Sequence, residues 1–353
     1  MTTTDVIRAP VAAVEAFCEA AFAACGADAE TARDATRSMM HGSVHGVDSH
    51  GVRLTAHYIR ALEGGRLNKA PKPSFRQIKT GSGLLEADNA QGARATYLAM
   101  DHAMDMARES GIAAVGIRNS SHFGPAGAYA KYAADQGFLA LVVANSDSFV
   151  RLHDGTERFH GTNPFSVAAP SGGSDPWLLD MATSAVPYNR VELYRSLGVT
   201  LPLGVASDAE GVDTTDPNRA EMLAPVGGEF GFKGAALGGV AEIFSAVLTG
   251  MRLSPEILHM GGPDMETPRE MGAFVLAMDP EGFIGAGIVE AGMRRYLDLL
   301  RNSPARPGCR VMAPGDREWA EAARRMADGL PLDPVTQDGF RTLAGTYGVK
   351  LPF

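Results

Sequence analysis

The feature that most constrains the fold of this chain is an alternation of strand-like apolar runs with amphipathic helical segments, which begins at Gly83. In order, the pattern predicts a strand at Gly83–Ala87, a helix at Ala93–Glu109, a strand at Ile112–Ile117, a helix at Ala126–Gln136 and a strand at Leu139–Ala144. Such alternation is typical of α/β folds, in which ligands commonly bind in the loops at strand ends.

The two ends of the chain follow another pattern, because apolar residues at helical spacing dominate there. Helices are predicted at Pro10–Cys25, Ala29–His41, Leu54–Leu62, Arg317–Gly329 and Thr336–Tyr347. Between these ends we predict further strands at Trp177–Met181 and Ala273–Met278, and helices at Leu237–Thr249 and Ile288–Asn302. The chain is therefore divided into a helical segment (1–75), an α/β region (76–316) and C-terminal helices (317–353).

Charge, apolar content and cysteine usage exclude several classes of partner. A net charge of −9 over 353 residues argues against nucleic acid or an anionic membrane, since both need a concentrated basic face. The longest apolar stretch, Gly137–Ala144, is too short to span a bilayer, and the N-terminus lacks the apolar core of a secretion signal. Cys18, Cys25 and Cys309 form no disulfide framework, so we expect each to be a small buried residue in a cytoplasmic protein.

Common nucleotide-binding and hydrolase signatures do not occur in the sequence. The strings Gly81–Glu86 and Gly234–Gly239 both fail the spacing of the dinucleotide-binding glycine fingerprint. There is also no Walker A loop, no zinc-protease helix and no nucleophile elbow. Motifs alone therefore indicate only an α/β protein and argue against a Rossmann dehydrogenase.

One cluster of candidate side chains lies within ten residues: His41, His45, Asp48, Ser49 and His50. We expect the interspersed glycines at positions 42, 46 and 51 to break the helix, so that these side chains lie on a turn. A metal site on the histidines and simple turn hydrogen bonds are both open alternatives. For His50 we favour acid/base chemistry, because an imidazole beside a hydroxyl can relay a proton near neutral pH.

Two further clusters follow strands. The polar loop Asn119–Gly127 precedes a helix, and its small residues suit the close approach of an anionic or aromatic ligand, although a tight turn would look the same. Asp180 ends an apolar strand, where its carboxylate could orient a histidine or simply cap local structure.

Five ordered motifs carry a resemblance that covers nearly the whole chain: Val47–Val52, Gly111–Gly124, Gly161–Pro164, Asp180–Ser184 and Lys233–Gly234. In this order the chain resembles the malate/L-lactate dehydrogenase family of the second, non-Rossmann type. Ureidoglycolate dehydrogenase, sulfolactate dehydrogenase, 2,3-diketogulonate reductase and the Δ1-piperideine-2-carboxylate/Δ1-pyrroline-2-carboxylate reductases are members of that family. The motifs are specific for the family, and none of them specifies the substrate.

The resemblance implies a non-Rossmann α/β fold that binds NAD or NADP, with a mixed-sheet cofactor domain and a mainly helical domain built from the N- and C-terminal segments. It implies that His50 donates the proton through a relay with Ser49 and Asp180. In some relatives the residue matching His122 is proposed as the acid/base instead, so the choice between the two histidines stays open. It also implies a homodimer with active sites near the subunit interface and no metal ion.

By the same resemblance, fourteen residues contact the dinucleotide: His122, Phe123, Gly124, Pro125, Ala126, Ser146, Asp180, Met181, Ala182, Lys233, Gly234, Pro314, Gly315 and Asp316.

The sequence departs from the family pattern at three places. Leu54 stands where relatives commonly place an arginine, and Arg53 lies one position earlier. The segment Arg151–Gly155 replaces the usual stretch before the Gly161–Pro164 motif, and Asp316 stands where Glu is usual. We therefore expect Arg53 and Arg151 to bind the substrate carboxylate, because arginine presents a fork of donors that matches a carboxylate.

The resulting hypothesis is hydride transfer between nicotinamide and the α-carbon of a small 2-oxo or 2-hydroxy acid, resembling malate or lactate. Reduction of a cyclic imino acid is the alternative within the family. A metal-dependent hydrolase built on the three histidines and a non-catalytic nucleotide-binding protein are the alternatives from other classes.

Overall fold

The computed structural model describes residues 6–173 and 175–353. Its strands are β1 (Ile7–Ala9), β2 (Ser74–Lys79), β3 (Ser82–Glu86), β4 (Ile112–Ser120), β5 (Leu139–Ala144), β6 (Val150–Arg151), β7 (Arg158–His160), β8 (Phe165–Ala169), β9 (Trp177–Met181), β10 (Ala206–Ser207), β11 (Met222–Leu223), β12 (Met271–Met278) and β13 (Leu330–Leu332). Its helices are α1 (Val11–Ala24), α2 (Ala29–Val44), α3 (Thr55–Gly64), α4 (Gly92–Ser110), α5 (Gly127–Ala134), α6 (Tyr188–Leu197), α7 (Gly231–Glu242), α8 (Ala286–Arg301), α9 (Asp316–Asp328) and α10 (Pro334–Tyr347).

A seven-stranded mixed sheet in the order β2-β3-β4-β12-β5-β8-β9 forms the centre of the molecule. Strands β3 and β4 are parallel, and the other neighbouring pairs are antiparallel. The late strand β12 lies between β4 and β5, with Val275 opposite both Val115 and Val142. The mixed sheet confirms the α/β fold class expected from the sequence.

The largest hydrophobic core lies between this sheet and helices α4 and α5. Ala99 and Met100 of α4 and Tyr129 of α5 are buried against Ile117 and Val142 of the sheet. Alanine is frequent in α4 and α5, which lets their backbones approach the strands closely. The close contact fixes the N-terminus of α5 beside the end of β9, where Asp180 is located.

A second core joins the two ends of the chain. Strand β1 pairs antiparallel with β13, and Phe17 of α1 packs against Phe340 of α10 with ring centroids 4.4 Å apart. The cluster continues through Met39 of α2 and Leu62 of α3. The helical lobe is therefore built from both termini, as expected, whereas the proposed boundaries at residues 75 and 316 stay predictions.

Several elements differ from the sequence-based expectation. Helix α2 continues through Gly42 to Val44, so His41 lies on the helix and not on a turn. Strand β4 extends to Ser120 because the polar residues after Ile117 still pair with the sheet. Strands β2 and β8 were not predicted, since the first is polar and the second lies in the Pro/Gly-rich stretch before residue 174.

The helix predicted at Leu237–Thr249 begins six residues earlier, at Gly231, and continues after Glu242 as a π-helix over Ile243–Val247. The helical stretch Gly228–Val247 is long and apolar enough to cross a membrane by length and composition, and only 39% of it is buried. One side of the stretch packs on the protein, because a Cβ at Gly234 would collide with the backbone of Val226, whereas nothing lies near a Cβ at Gly239. The stretch therefore lies against the sheet with one apolar face open.

The cysteines agree with expectation in two cases of three. Cys18 and Cys25 are buried in the helical lobe, whereas Cys309 is exposed. The prediction for Cys309 was wrong, because the segment after α8 is a surface loop that covers no core.

Candidate functional site

A pocket of about 390 Å³ lies between the helical lobe and the ends of the central strands. Its volume lies in the range of small-molecule sites, and most of its wall is apolar. The wall is formed by the turn before α3, the loop before α5, the residues that follow β5, the end of β9 and the loop before β12. The predicted catalytic residues Ser49, His50, His122 and Asp180 all line it.

The turn that carries His50 is anchored on both sides. Arg325 of α9 donates from Nη2 to Asp48 Oδ2 at 2.9 Å, and Ser43 Oγ accepts the Val52 N–H at 2.9 Å. Position 51 must be glycine, because a Cβ there would collide with Ser43 Oγ. The turn places Ser49 Oγ 2.9 Å from His50 Nδ1.

His122 follows β4 and is held by a buried phenol. Tyr58 Oη lies 2.7 Å from His122 Nδ1, and Gln91 also forms a side-chain hydrogen bond with Tyr58. Gln91 Oε1 accepts the Ala93 N–H at 2.6 Å, and Gln91 Nε2 donates to His122 O at 3.4 Å. A Tyr58 hydroxyl that donates to Nδ1 would leave the His122 proton on Nε2, whereas the opposite direction would place it on Nδ1.

The two histidine rings are stacked with centroids 5.5 Å apart and an interplanar angle of 29°. Burial lowers the pKa of His50 to about 4. Burial, together with the neighbouring His50 and Arg269, holds the pKa of His122 well below its usual range. Both imidazoles are therefore neutral at neutral pH, and burial raises the pKa of Tyr58 so that the phenol keeps its proton.

Asp180 approaches the start of α5 very closely. The Gly127 N–H donates to its carboxylate, and a Cβ at position 127 would lie 2.6 Å from Asp180 Oδ2. Burial raises the pKa of Asp180 to about 6 despite that hydrogen bond. Among the described residues, the Gly127 N–H is the hydrogen-bond donor to this carboxylate. The expected relay from Asp180 to Ser49 therefore stays a prediction.

The residues expected to bind cofactor gather around the same strand end. His122, Phe123, Gly124, Pro125, Ala126, Ser146, Asp180, Met181 and Ala182 line the pocket. The remaining five lie beside it. Gly234 packs on Val226, whose N–H donates to Thr183 O at 2.9 Å, and Leu178 N donates to Pro314 O at 3.3 Å.

In this last group, Lys233 stacks near the Phe230 ring, at 5.3 Å from its centroid. Gly315 has φ +98° and packs against Trp319, and Asp316 accepts two hydrogen bonds from Arg301. Lys233, Gly234, Pro314, Gly315 and Asp316 therefore do not line the pocket itself.

The structure does not bring the two predicted carboxylate-binding arginines into this pocket. Arg53 forms an ion pair with Asp333 at the surface, because its side chain points away from the turn that carries His50. Arg151 donates to Asp213 at 2.6 Å and to Ser207 at 3.1 Å in the small four-stranded sheet. Arg151 lines a separate cavity of about 280 Å³, and Leu54 lines the main pocket in place of a cation.

Sequence reasoning missed a buried cation beside the pocket. Arg269, just before β12, forms an ion pair with pocket-lining Asp147 and donates from Nε to Leu258 O at 2.8 Å. Its Nη1 atom is buried without a hydrogen-bond partner among the described residues. It also missed Tyr58 and Gln91, because a tyrosine within an amphipathic helix and a glutamine before one carry no motif.

His41 and His45 pack against each other with ring centroids 4.2 Å apart, and the edge of His45 meets Trp319. No three His, Cys, Asp or Glu side chains converge as metal ligands within the part of the chain that the structure describes. The metal-dependent hydrolase hypothesis therefore finds no ligand set there.

Comparison with known proteins gives one consistent result. The profile of a family described as malate/L-lactate dehydrogenase matches residues 9–340. The chain is 30% identical to malate dehydrogenase from Pyrococcus abyssi, over 98% of this chain and 96% of that protein. It is also 30% identical to the Δ1-pyrroline-2-carboxylate/Δ1-piperideine-2-carboxylate reductase of Pseudomonas putida, over 98% of this chain and 99% of that protein. The solved malate dehydrogenase from Entamoeba histolytica superposes with a TM-score of 0.92 at 28% identity, covering 99% of this chain and 100% of that one.

Proposed function

We propose, since the chain belongs to the malate/L-lactate dehydrogenase family, that its pocket supports hydride transfer between NAD or NADP and the α-carbon of a small 2-oxo or 2-hydroxy acid. The chain is an NAD(P)-dependent oxidoreductase, and the family fold without a glycine fingerprint accounts for the motif missing from its sequence. The observation that carries the proposal is the stacked pair His50 and His122 in one pocket with Asp180.

The residues present fit a nicotinamide dinucleotide. The exposed cation of Lys233 suits the negative charge of a pyrophosphate. The pocket wall is mainly apolar, which suits a nicotinamide ring. When bound, the cofactor supplies or accepts the hydride.

Different roles for the two histidines follow from their partners. We assign the donor role in the Tyr58–His122 hydrogen bond to the phenol, so that His122 carries its proton on Nε2 and would donate a hydrogen bond to the substrate oxygen. His50 can take either tautomer because the Ser49 hydroxyl can accept from or donate to its Nδ1. With the proton on Nδ1, Nε2 would accept the hydroxyl proton during oxidation. With the proton on Nε2, His50 would give it to the substrate oxygen during reduction, while Ser49 protonates Nδ1 and regains a proton from solvent. We therefore assign the proton transfer to His50, with Ser49 holding the ring, and the orientation of the substrate to His122.

For the substrate carboxylate we assign Arg269 in place of Arg53 and Arg151. It neighbours the pocket through Asp147, its charge lowers the pKa of His122, and its Nη1 has a donor to spare. A guanidinium already held in one orientation by a carboxylate loses little further freedom when it binds a second one.

A homodimer is the proposed assembly, with the open face of α7 and its π-helical extension covered by a second copy. Phe232, Ile243, Val247 and Leu248 are exposed along that face. A contiguous apolar patch of this kind on a folded chain usually marks an interaction site. The exposed thiol of Cys309 is compatible with a reducing, cytoplasmic location.

The test is a reduction screen with NADH and NADPH separately. It covers pyruvate, oxaloacetate, sulfopyruvate, diketogulonate and the cyclic imines Δ1-pyrroline-2-carboxylate and Δ1-piperideine-2-carboxylate. We expect turnover with one or more 2-oxo acids. Turnover with the cyclic imines alone would replace the substrate class by the family alternative, and no oxidation of either cofactor with any compound would contradict the proposed function.

A further inference from the structure

The buried carboxylate of Glu242, next to residues that line the pocket, accepts four hydrogen bonds. Glu242 ends α7, where the helix changes into the π-helix, and its side chain is nearly inaccessible. It accepts from Asn145 Nδ2 at 3.3 Å, Asn163 Nδ2 at 2.9 Å, Ser254 Oγ at 2.7 Å and Ser254 N at 2.5 Å. One carboxylate thus ties the residue after β5 to the Gly161–Pro164 motif, and both segments line the pocket.

These contacts fix the orientation of the Asn145 amide. Its Nδ2 donates to Glu242 and also to Arg252 O at 2.8 Å. A carboxylate and a carbonyl oxygen can only accept, so the NH₂ group must face them and the amide cannot be turned round. The Oδ1 atom is therefore held on the opposite side.

That oxygen lacks a partner of its own. Asn145 lines the pocket, is 1% exposed, and its Oδ1 is buried without a hydrogen-bond partner among the described residues. Buried polar atoms are nearly always paired in proteins, so an exception beside a ligand pocket points to a partner that the ligand supplies.

We propose that Asn145 Oδ1 accepts an N–H from the carboxamide of the nicotinamide cofactor, with Glu242 as the residue that positions the amide. An acceptor without a partner needs a hydrogen-bond donor, and the hydroxyl proton of a 2-hydroxy acid is already assigned to His50. A 2-oxo acid anion offers only acceptors, whereas the nicotinamide carboxamide offers an NH₂ group. This inference rests on the proposed function, because it takes the cofactor to bind in this pocket.

Binding of two dinucleotides to the unmodified protein gives the first test. The probes are reduced NAD(P) and its acetylpyridine analogue, in which a methyl group replaces the carboxamide NH₂, and the dissociation constants are measured by titration calorimetry. We expect the carboxamide form to bind about tenfold more tightly, which corresponds to about 1.4 kcal/mol. Equal affinity for the two probes would overturn the proposal without any variant.

Variants then locate the effect. Asn145→Ala is expected to bind the carboxamide and acetylpyridine forms with about equal affinity. Glu242→Gln is expected to show an intermediate preference, because the Gln side-chain amide can both donate and accept and no longer fixes the orientation of Asn145. Asn302→Ala and Glu109→Gln, exposed matched substitutions, should keep the full preference. An unchanged preference in folded Asn145→Ala would overturn this proposal alone, whereas failure of the unmodified protein to bind either probe would overturn the proposed function with it.

Discussion

At the scale of single residues, two neighbouring histidines differ because their second nitrogens meet different partners. Nδ1 of His122 meets the Tyr58 phenol, whereas Nδ1 of His50 meets the Ser49 hydroxyl. In the proposed assignment the phenol donates to His122 and holds one tautomer, whereas the Ser49 hydroxyl both donates to and accepts from His50. A catalytic base needs a free lone pair and an orienting donor needs a fixed proton, so the assignment follows from the hydrogen bonds and not from sequence position.

Substitution of each histidine should therefore give a different result. His50→Asn is expected to lower kcat by roughly two to four orders of magnitude, the usual range for loss of acid/base assistance. His122→Asn keeps a donor near the substrate oxygen, and we expect a smaller loss, of about tenfold, as for one neutral hydrogen bond. Steady-state kinetics in both reaction directions measure the two effects. A larger loss of kcat in His122→Asn would reverse the assignment.

The ionised carboxylate of Asp180 should lower the stability of the folded protein, because it is buried in the candidate site. Its folded-state pKa of about 6 exceeds the usual 3.8, so ionisation destabilises the folded state as the pH rises through that range. Asp180→Asn is therefore expected to increase the free energy of unfolding by about 2 kcal/mol above the folded-state pKa. The gain should vanish below the unfolded-state value, and activity should fall.

Denaturant unfolding at two pH values, one above the Asp180 pKa of about 6 and one near 3.8, measures this difference. Asp298→Asn, an exposed carboxyl substitution on α8, is the control and should change stability little at either pH. A gain for Asp180→Asn that is equal at the two pH values would contradict ionisation as its cause.

At the scale of elements, we expect the proposed active site to depend on how closely α5 meets the end of β9. The carboxylate of Asp180 occupies the space where residue 127 would carry a Cβ. Gly127→Ala is expected to displace Asp180 and lower kcat/KM by at least about tenfold, while improving the intrinsic helix propensity of α5. Gly345→Ala in α10, where nothing lies near the added Cβ, is the matched control. Equal activity of the two variants would show that this close approach has no catalytic role.

The regular elements could largely be predicted from the sequence, because hydrophobic spacing records which face of a helix or strand is buried. Strands β5 and β9 lie where the apolar runs predicted them. Polar strand β2 and the shift of α7 into a π-helix could not be predicted, since pairing and packing in the folded chain determine them. At the site, local clusters pointed to Ser49, His50, His122 and Asp180, and the resemblance implied their roles. The positions of Arg53, Arg151 and Arg269 depend on long-range ion pairs that no local pattern contains.

At the scale of the whole molecule, we expect the exposed apolar face of α7 and its π-helical extension to form the interface of the proposed homodimer. Val247 is 63% exposed on that face, and Val247→Glu is expected to convert a dimer to a monomer, since a buried unpaired charge costs several kcal/mol. Val335→Glu on α10, 59% exposed on the helical lobe, should leave the dimer intact. Light scattering after size-exclusion chromatography measures the mass. A monomeric wild type, or a dimer that survives Val247→Glu, would contradict the proposed interface.

The molecule as a whole brings a helical lobe built from both termini against the strand ends of a mixed sheet, so that one pocket is lined by the proposed acid/base side chains and by most of the proposed cofactor-contacting residues. The proposed function requires direct hydride transfer from the reduced cofactor to the α-carbon of the substrate. The most direct measurement uses reduced cofactor carrying deuterium at the transferring position and analyses the product of a 2-oxo acid by mass spectrometry. We predict one deuterium on the α-carbon of the 2-hydroxy acid. A product that forms without deuterium would contradict the account.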